Sequence, residues 1–304
     1  QPPADAEGAR RHALLASWHR SVREVPAWVD WEQLERGQQV FTVNAPAAAL
    51  SLYYLSLVGG FSAPLITRVL RATAYLTAPP KKVMRRLVDT GAMVAACTTG
   101  GAASLRPGGA GWTAVLQVRV LHAKVRQRLG ERKYWRRDEW GVPINQEDMA
   151  VSHAARFILP GAPQASVGGI TWGRPALSQR LVVLQATLLA FSYNVLVGIE
   201  LVAGSPLPAA EQEDYLALWR YIGWLLGVDG RLDPCRNVPR AKAMLESVIM
   251  HLLEPDEHSV AVAQHLLQVV PPIGAEGLNR RPPVGSCRLF LGPGFRLAAR
   301  WNRL

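Results

Sequence analysis

The chain has no run in which apolar and polar residues alternate with the period of two that marks a half-buried β-strand, bounded by hairpin turns. Good helix formers such as Ala, Leu, Arg and Gln dominate instead. With 304 residues, 49% of them hydrophobic, the chain can bury a large core. We therefore predict an all-α fold, a single large multi-helix bundle over residues 1–304.

Gly and Pro divide this chain into helical segments. The pair Pro79-Pro80 predicts the start of a helix that Gly100-Gly101 closes, and GWTAVLQVRVLHAKVRQRL predicts a helix of about 18 residues. EQEDYLALWRYIGWLLGV is interpreted as an amphipathic helix with acidic residues in its first turn. Residues 150–184 have no sustained period, so we interpret them as an insertion loop, and residues 271–304 as a loose tail.

Two uncharged stretches, residues 37–67 and 181–199, are long enough to cross a bilayer. Both contain polar residues, which favours buried helices of a large bundle. The N-terminal residues show no charged and then apolar leader. The compartment therefore stays open, with ER or other membrane association and secretion among the alternatives.

The formal charge of +11 suggests a nucleic acid, an anionic membrane surface or an acidic ligand as partner. No basic arm or nucleic-acid module is recognisable, so no nucleic-acid partner is expected. Peripheral membrane contact stays open. Cys97, Cys235 and Cys287 lie far apart without CxxC spacing, which argues against a zinc site and against a disulfide framework.

The stretch VRVLHAKVRQRL places one histidine among cationic residues on a helix. At about 100° per residue, Arg119, His122 and Arg126 share a stripe roughly 60° wide. The apolar face is predicted to consist of four residues, with His122 at its border on the arginine side. These four are Val118, Leu121, Val125 and Leu129.

An imidazole between two guanidinium groups suits a ligand that combines a metal centre with acidic arms. Haem has that layout, because imidazole is a common axial iron ligand and Arg is a bidentate partner of carboxylates. A histidine at an apolar border is also typical of a hydrogen-bonded core residue, and arginines at this spacing also form surface ion pairs. The pattern alone leaves both interpretations open.

Five segments together resemble the rubber-oxygenase family, which includes bacterial latex clearing proteins and fungal ER-bound oxygenases that cleave a prenyl side chain. The fungal branch looks closest, and the resemblance covers residues 25–270 apart from the insertion. The spacing RxxHxxxR is its most specific element. The segments are RRLVDTG, VRVLHAKVR, GVPINQEDM, ATLLAFSYNVLVGIELV and LWRYIGWLLGVD.

The resemblance implies an all-α bundle with a buried pocket for haem b, with O2 as co-substrate and a hydrophobic, prenyl-like or polyisoprenoid substrate. It implies that His122 is the iron ligand and that Arg119 and Arg126 lie near the haem propionates. Arg86 and Thr90 match positions that line the haem pocket in the family.

Two positions depart from the latex clearing enzymes. Asp89 stands where those enzymes have a lysine, and Ala72, in VLRATAY, stands in the region of their catalytic glutamate. The catalytic acid or base is therefore not assigned. The resemblance implies a haem-dependent oxygenase whose reaction is the oxidation or cleavage of an alkene. The alternative is a non-catalytic helical haem- or lipid-binding protein associated with a membrane.

Three further histidines, His251, His258 and His265, recur every seven residues. Pro255 separates the first two, so we favour structural roles for them over a shared ligand site. Arg220 lies among aromatic residues, where stacking of its guanidinium group is a sufficient explanation.

Overall fold

The computed structural model of the chain describes residues 6–73, 78–136, 183–253 and 255–269. Every regular element in these ranges is helical, so the predicted all-α class is confirmed. The α-helices are α1 Ala6–Ser21, α2 Trp31–Val43, α3 Ala45–Ser51, α4 Pro64–Ala72, α5 Pro80–Thr98, α6 Ala110–Gly130, α7 Val183–Phe191, α8 Tyr193–Ala203, α9 Ala209–Leu226, α10 Val238–Leu252 and α11 Glu257–Val269. A π-helix at Leu52–Val58 and 3₁₀-helices at Ala102–Leu105 and Pro234–Arg236 complete the set.

The predicted chain breaks coincide with helix ends. Helix α5 begins at Pro80, the second residue of the proline pair, and ends at Thr98. Gly100 and Gly101 then take φ values of 84° and 67°, a left-handed region that favours glycine. The predicted insertion lies outside the described residues except at its end, where α7 begins at Val183, and the predicted tail lies outside them entirely.

Helix α9 forms the centre of the bundle. No residue from 211 to 226 is exposed, so the interpretation of this segment as an amphipathic helix was wrong. The reason is that α2 and α6 pack against it and that two of its charged residues form ion pairs with other segments of the chain. Asp214 pairs with Arg36, and Arg220 pairs with Asp233 at 3.0 Å.

A glycine brings α2 and α9 close together. A Cβ atom at Gly37 would overlap the backbone carbonyl of Asp214 and lie 3.0 Å from the Cβ of Leu218. Asp30 caps the start of α2, since its side chain accepts hydrogen bonds from the backbone N–H groups of Glu32 and Gln33. Helix α2 is therefore fixed both at its start and along its contact with α9.

The two apolar stretches pack against each other, and polar residues within them form hydrogen bonds. Ser51 donates to the carbonyl oxygen of Asn194 at 3.0 Å, and the Asn194 amide donates to Ser56 at 3.1 Å. Over the described residues, Ala186–Ala203 is long and apolar enough to cross a membrane, and 39% of it is buried. A bent pair, Trp31–Val43 with Ala45–Val58, would be a second such span if counted as one.

Candidate functional site

Helix α6 turns the His122 stripe towards the interior of the bundle. Val115 and Leu129 are buried on the same side of the helix, and Arg119, His122 and Arg126 between them are half-buried. The predicted apolar face was wrong in one residue: the Leu121 side chain is 48% exposed. The four apolar residues cover an arc next to the stripe, and α9 contacts the stripe through the Leu225 carbonyl, so the far edge of that arc meets solvent.

Lys124 and Arg128 are exposed, as their positions on the helix predict. The cationic side chains of α6 therefore separate into two sets. Lys124 and Arg128 face solvent, whereas Arg119 and Arg126 flank the histidine on the inner side.

The imidazole of His122 has no hydrogen-bond partner among the described residues and is half-buried. Burial lowers its pKa below the usual value near 6.5, and the positive charge of Arg126 lowers this pKa further. Neutral imidazole is the form that binds a metal ion. Burial and the neighbouring arginine thus favour the neutral form of His122, which is the form that can bind a metal.

Arg119 is tied to the end of the central helix. Its Nη1 donates a hydrogen bond to the backbone carbonyl of Leu225, 2.9 Å away, in the last turn of α9. Burial lowers the pKa of Arg119, and the charge of Arg126 lowers this pKa further. Because Arg126 lowers the pKa of both Arg119 and His122, the three groups share one electrostatic neighbourhood. An anion placed there would relieve the repulsion between the two guanidinium groups.

Arg86 and Thr90 lie on α5, which packs directly against α6. Both are half-buried, one turn apart, on the side of α5 that also carries the buried Val83 and Val94. The Thr90 hydroxyl donates to the Arg86 backbone carbonyl at 2.9 Å. The two residues therefore face the bundle interior from the helix next to His122.

The two positions that depart from the latex clearing enzymes lie in different surroundings. Asp89 is exposed on α5, and Ala72 is half-buried at the end of α4. Neither places a carboxylate inside the bundle beside the α6 stripe.

A protein-held bare metal ion has no site in the described ranges, because no group of three or more His, Cys, Asp or Glu side chains converges there. A metal that already sits in a macrocycle needs only one or two ligands from the protein. A single half-buried imidazole flanked by two arginines fits an iron porphyrin and does not fit a free cation.

A groove with a volume of about 400 Å³ lies along α6 on the side away from His122. Its lining residues are Trp112, Thr113, Leu116, Gln117, Val120, Leu121 and Lys124. The predicted haem pocket in front of His122 therefore stays a prediction.

The other sequence candidates that the structure describes are a histidine close to a backbone carbonyl, an exposed histidine and two buried thiols. A ring nitrogen of His265 lies 3.1 Å from the carbonyl oxygen of Ala78, and His258 is exposed. The His251 side chain and Cys287 lie outside what the structure describes. Cys97 and Cys235 are buried free thiols, and burial raises the pKa of Cys97 to about 12, which keeps it protonated.

Arg220 stacks over Trp28, with its Cζ 3.9 Å from the ring centre. This confirms the predicted stacking among aromatic residues. The ion pair with Asp233 adds a second fixed contact to the same guanidinium group.

Sequence reasoning missed the partners of Arg119. Leu225 contributes only its backbone carbonyl, which no side-chain pattern reveals. Gly227 lies against the Arg119 guanidinium. The sequence indicates only that Gly227 follows a predicted helix directly, where glycine is the preferred C-terminal cap.

The sequence matches the family described as ER-bound oxygenase mpaB/B'/Rubber oxygenase, catalytic domain, over residues 45–160 and 172–302. Residues 161–171 between the two matched parts fall within the predicted insertion, which stays a prediction. A search of curated proteins finds no match.

Among solved structures, the fold is similar to that of latex clearing protein in the closed state, with a TM-score of 0.61 and 18% sequence identity. The comparison covers 91% of this chain and 64% of the other chain, so this chain spans somewhat less than two thirds of that protein. The likeness agrees with the all-α architecture. Because the family match extends over most of its length, the chain belongs to the ER-bound oxygenase mpaB/B'/rubber oxygenase catalytic-domain family.

Proposed function

We propose that this protein is a haem-b-dependent oxygenase that uses O2 to oxidise or cleave a C=C bond in a hydrophobic, prenyl-like or polyisoprenoid substrate. The observation that carries the proposal is the inward stripe of α6, where one imidazole with no hydrogen-bond partner in the described part of the chain lies between two half-buried arginines. Membership in an oxygenase catalytic-domain family supports the reaction class.

His122 would hold the iron through its neutral imidazole. Arg119 and Arg126 would bind the two carboxylate groups of the porphyrin, because guanidinium groups are bidentate donors to carboxylates and carry their charge at any physiological pH. Arg86 and Thr90 would line the pocket from α5. The bound haem would supply the activation of O2.

The protein's own contribution is to hold these groups in an environment from which water is largely excluded. Burial weakens the competition of water for the arginine donors and keeps a proton off His122. An apolar substrate would be bound by burial of its hydrocarbon surface, a contribution of about 25 cal/mol per Å². No acid or base is assigned, since Ala72 and Asp89 provide none inside the bundle.

The experiment compares His122→Ala with His265→Ala, because His265 is also a half-buried histidine but has a backbone partner at Ala78. Each variant and the wild type are reconstituted with haem, and their absorption spectra are recorded. The Soret band should be present in the wild type and in His265→Ala and lost in His122→Ala. Retention of an unchanged Soret band in His122→Ala would show that His122 is not the ligand.

Oxygen uptake separates the enzyme from a binding protein. Haem-loaded protein is supplied with polyisoprene or with a prenylated small molecule, and O2 consumption is followed together with carbonyl products. Substrate-dependent uptake supports the oxygenase. Bound haem without uptake on either substrate would instead favour a non-catalytic haem- or lipid-binding protein, for which the net charge of +11 would offer an attraction to anionic headgroups.

A further inference from the structure

The C-terminal end of α9 offers a backbone carbonyl to Arg119. Gly227 donates its N–H to Trp224 at 2.8 Å, and Val228 donates its N–H to Gly223 at 2.9 Å. These bonds use the carbonyls of Trp224 and Gly223, as in the common glycine-terminated helix end. The carbonyl of Leu225 accepts from Nη1 of Arg119 at 2.9 Å. The partial negative charge at a helix C-terminus strengthens such a bond to a cation.

Gly227 makes room for the same guanidinium group. A Cβ atom at this position would lie 2.7 Å from Nη2, 2.8 Å from Cζ and 3.1 Å from Nε of Arg119. The first two distances are shorter than non-bonded contacts of a Cβ atom allow, so the guanidinium group would have to move. The glycine is therefore needed for two separate reasons, its φ of 90° and the space that Arg119 occupies.

Gly204 offers a matched comparison. It also ends a helix, α8, with φ at 78°, and its N–H donates to Glu200. Nothing lies within 4 Å of a Cβ atom built on Gly204. Replacing either glycine by alanine imposes a similar left-handed strain, but only the change at Gly227 displaces a guanidinium group.

Arg119 lies one turn before His122 on the inward face of α6. One of the five N–H groups of its guanidinium donates to Leu225, which restrains the group and leaves other donors for a carboxylate. We propose that Gly227 and the Leu225 carbonyl act as positioning groups that hold Arg119 in the orientation in which it binds a haem carboxylate. This inference rests on the proposed function, since it takes haem as the ligand.

The test compares Gly227→Ala with Gly204→Ala in the haem-loaded protein. The rate of haem release to an excess of a haem-scavenging protein is measured, together with the Soret maximum and the thermal unfolding curve. Gly227→Ala should release haem about tenfold faster than Gly204→Ala, as expected when a supporting partner of a cofactor-binding group is lost. Equal release rates in the two variants would overturn the proposal.

A double-mutant cycle with Arg119→Ala separates positioning from backbone strain. If Gly227 acts through Arg119, Gly227→Ala should add nothing to the release rate in the Arg119→Ala background. An undiminished effect in that background would show that strain at residue 227, and not the guanidinium group, controls haem release.

A second variant keeps the test decisive if Gly227→Ala does not fold. Arg119→Lys retains one donor for the Leu225 carbonyl but loses the planar fork. It should leave the melting temperature near that of the wild type and still speed haem release. A wild-type release rate in Arg119→Lys would overturn the proposal.

The His122-dependent Soret band tests the proposed function separately from the positioning role of Gly227. A wild-type protein that takes up no haem through His122 overturns the proposed function and this inference together. A wild type with a His122-dependent Soret band, combined with equal release from Gly227→Ala and Gly204→Ala, overturns the positioning role alone.

Discussion

Arg36 on α2 and Asp214 on α9 form a two-point ion pair, with Nε 2.8 Å from Oδ2 and Nη2 3.2 Å from Oδ1. The pair stands next to Gly37, where a Cβ atom would overlap the Asp214 backbone. Asp214 is buried, whereas half of the Arg36 side chain is exposed. The charged pair therefore borders a close backbone contact between α2 and the central helix.

Gly37→Ala should destabilise the protein by about 1–3 kcal/mol, because an added methyl group must push α2 away from the Asp214 backbone. The matched control is Gly91→Ala on the exposed side of α5, where nothing lies within 4 Å of a Cβ atom. That change should stabilise by about 0.5–1 kcal/mol, since alanine is the better helix former. Urea unfolding measures both values. A neutral Gly37→Ala would contradict the close α2–α9 contact.

Two leucines of the predicted apolar face of α6 should respond differently to truncation. Leu129 is 3% exposed, so Leu129→Ala should cost about 2–5 kcal/mol through lost burial and a cavity. Leu121 is 48% exposed, so Leu121→Ala should stay within about 0.5 kcal/mol of the wild type. Thermal unfolding of the two variants distinguishes the faces. Equal losses would mean that α6 is rotated about its axis.

Removing one partner of the Arg220–Asp233 ion pair should lower the free energy of unfolding. Asp233 is 4% exposed. Its burial raises the pKa of its carboxyl group, whereas the hydrogen bond from the Cys235 N–H group and the charge of Arg220 lower this pKa. Arg220→Met leaves this carboxylate without its ion-pair partner and removes the stacking on Trp28, so we expect a loss of about 3 kcal/mol.

The double variant Arg220→Met with Asp233→Asn tests the cause of that loss. The asparagine can still accept from the Cys235 N–H group, as Asp233 Oδ1 does at 2.9 Å, but it carries no charge. Most of the lost stability should return in chemical denaturation. No recovery would assign the loss to the contact with Trp28 and not to the buried charge.

The apo protein should lose stability as the pH falls below the usual histidine pKa near 6.5, partly because of His122. Its pKa is lowered in the folded state, chiefly by burial, so the unfolded chain binds a proton at a pH where the native protein does not. Stability then rises with pH through this window, and above 6.5 the contribution vanishes because both states are neutral.

His122→Gln should flatten the part of the pH dependence that belongs to this window. Urea unfolding of the wild type and the variant is measured from about pH 4.5 to about pH 7.5, on both sides of the usual histidine pKa. The difference between the two curves isolates His122 from the other titrating groups. Parallel curves for the two proteins would show that His122 titrates alike in the folded and unfolded states.

The helical class, the breaks at Pro80 and at Gly100, and the shared stripe of Arg119, His122 and Arg126 followed from local features of the chain. Local sequence can determine them because proline and glycine act on their own backbone, and because helical periodicity fixes which residues share a face. The resemblance carried by the RxxHxxxR spacing likewise identified the family that the comparison then confirmed.

Which face of α6 points inward was decided by the helices packed against it. Hydrophobicity favoured an arc that included Leu121, but the bundle covers the polar stripe and leaves Leu121 at the surface. The same holds for α9, whose charged residues resembled a solvent face and are satisfied by Arg36 and Asp233 from distant parts of the chain.

The sequence by itself thus determined the helical class, several helix ends and the stripe shared by Arg119, His122 and Arg126. Only the tertiary structure decided that Arg119 donates to the Leu225 carbonyl and occupies the space beside Gly227. The physical reason is that this contact joins a side chain to backbone atoms more than 100 residues away, as the separation of 106 between the two residues shows. A backbone carbonyl is the same in every residue, so no local pattern can predict which carbonyl will accept the hydrogen bond from Arg119.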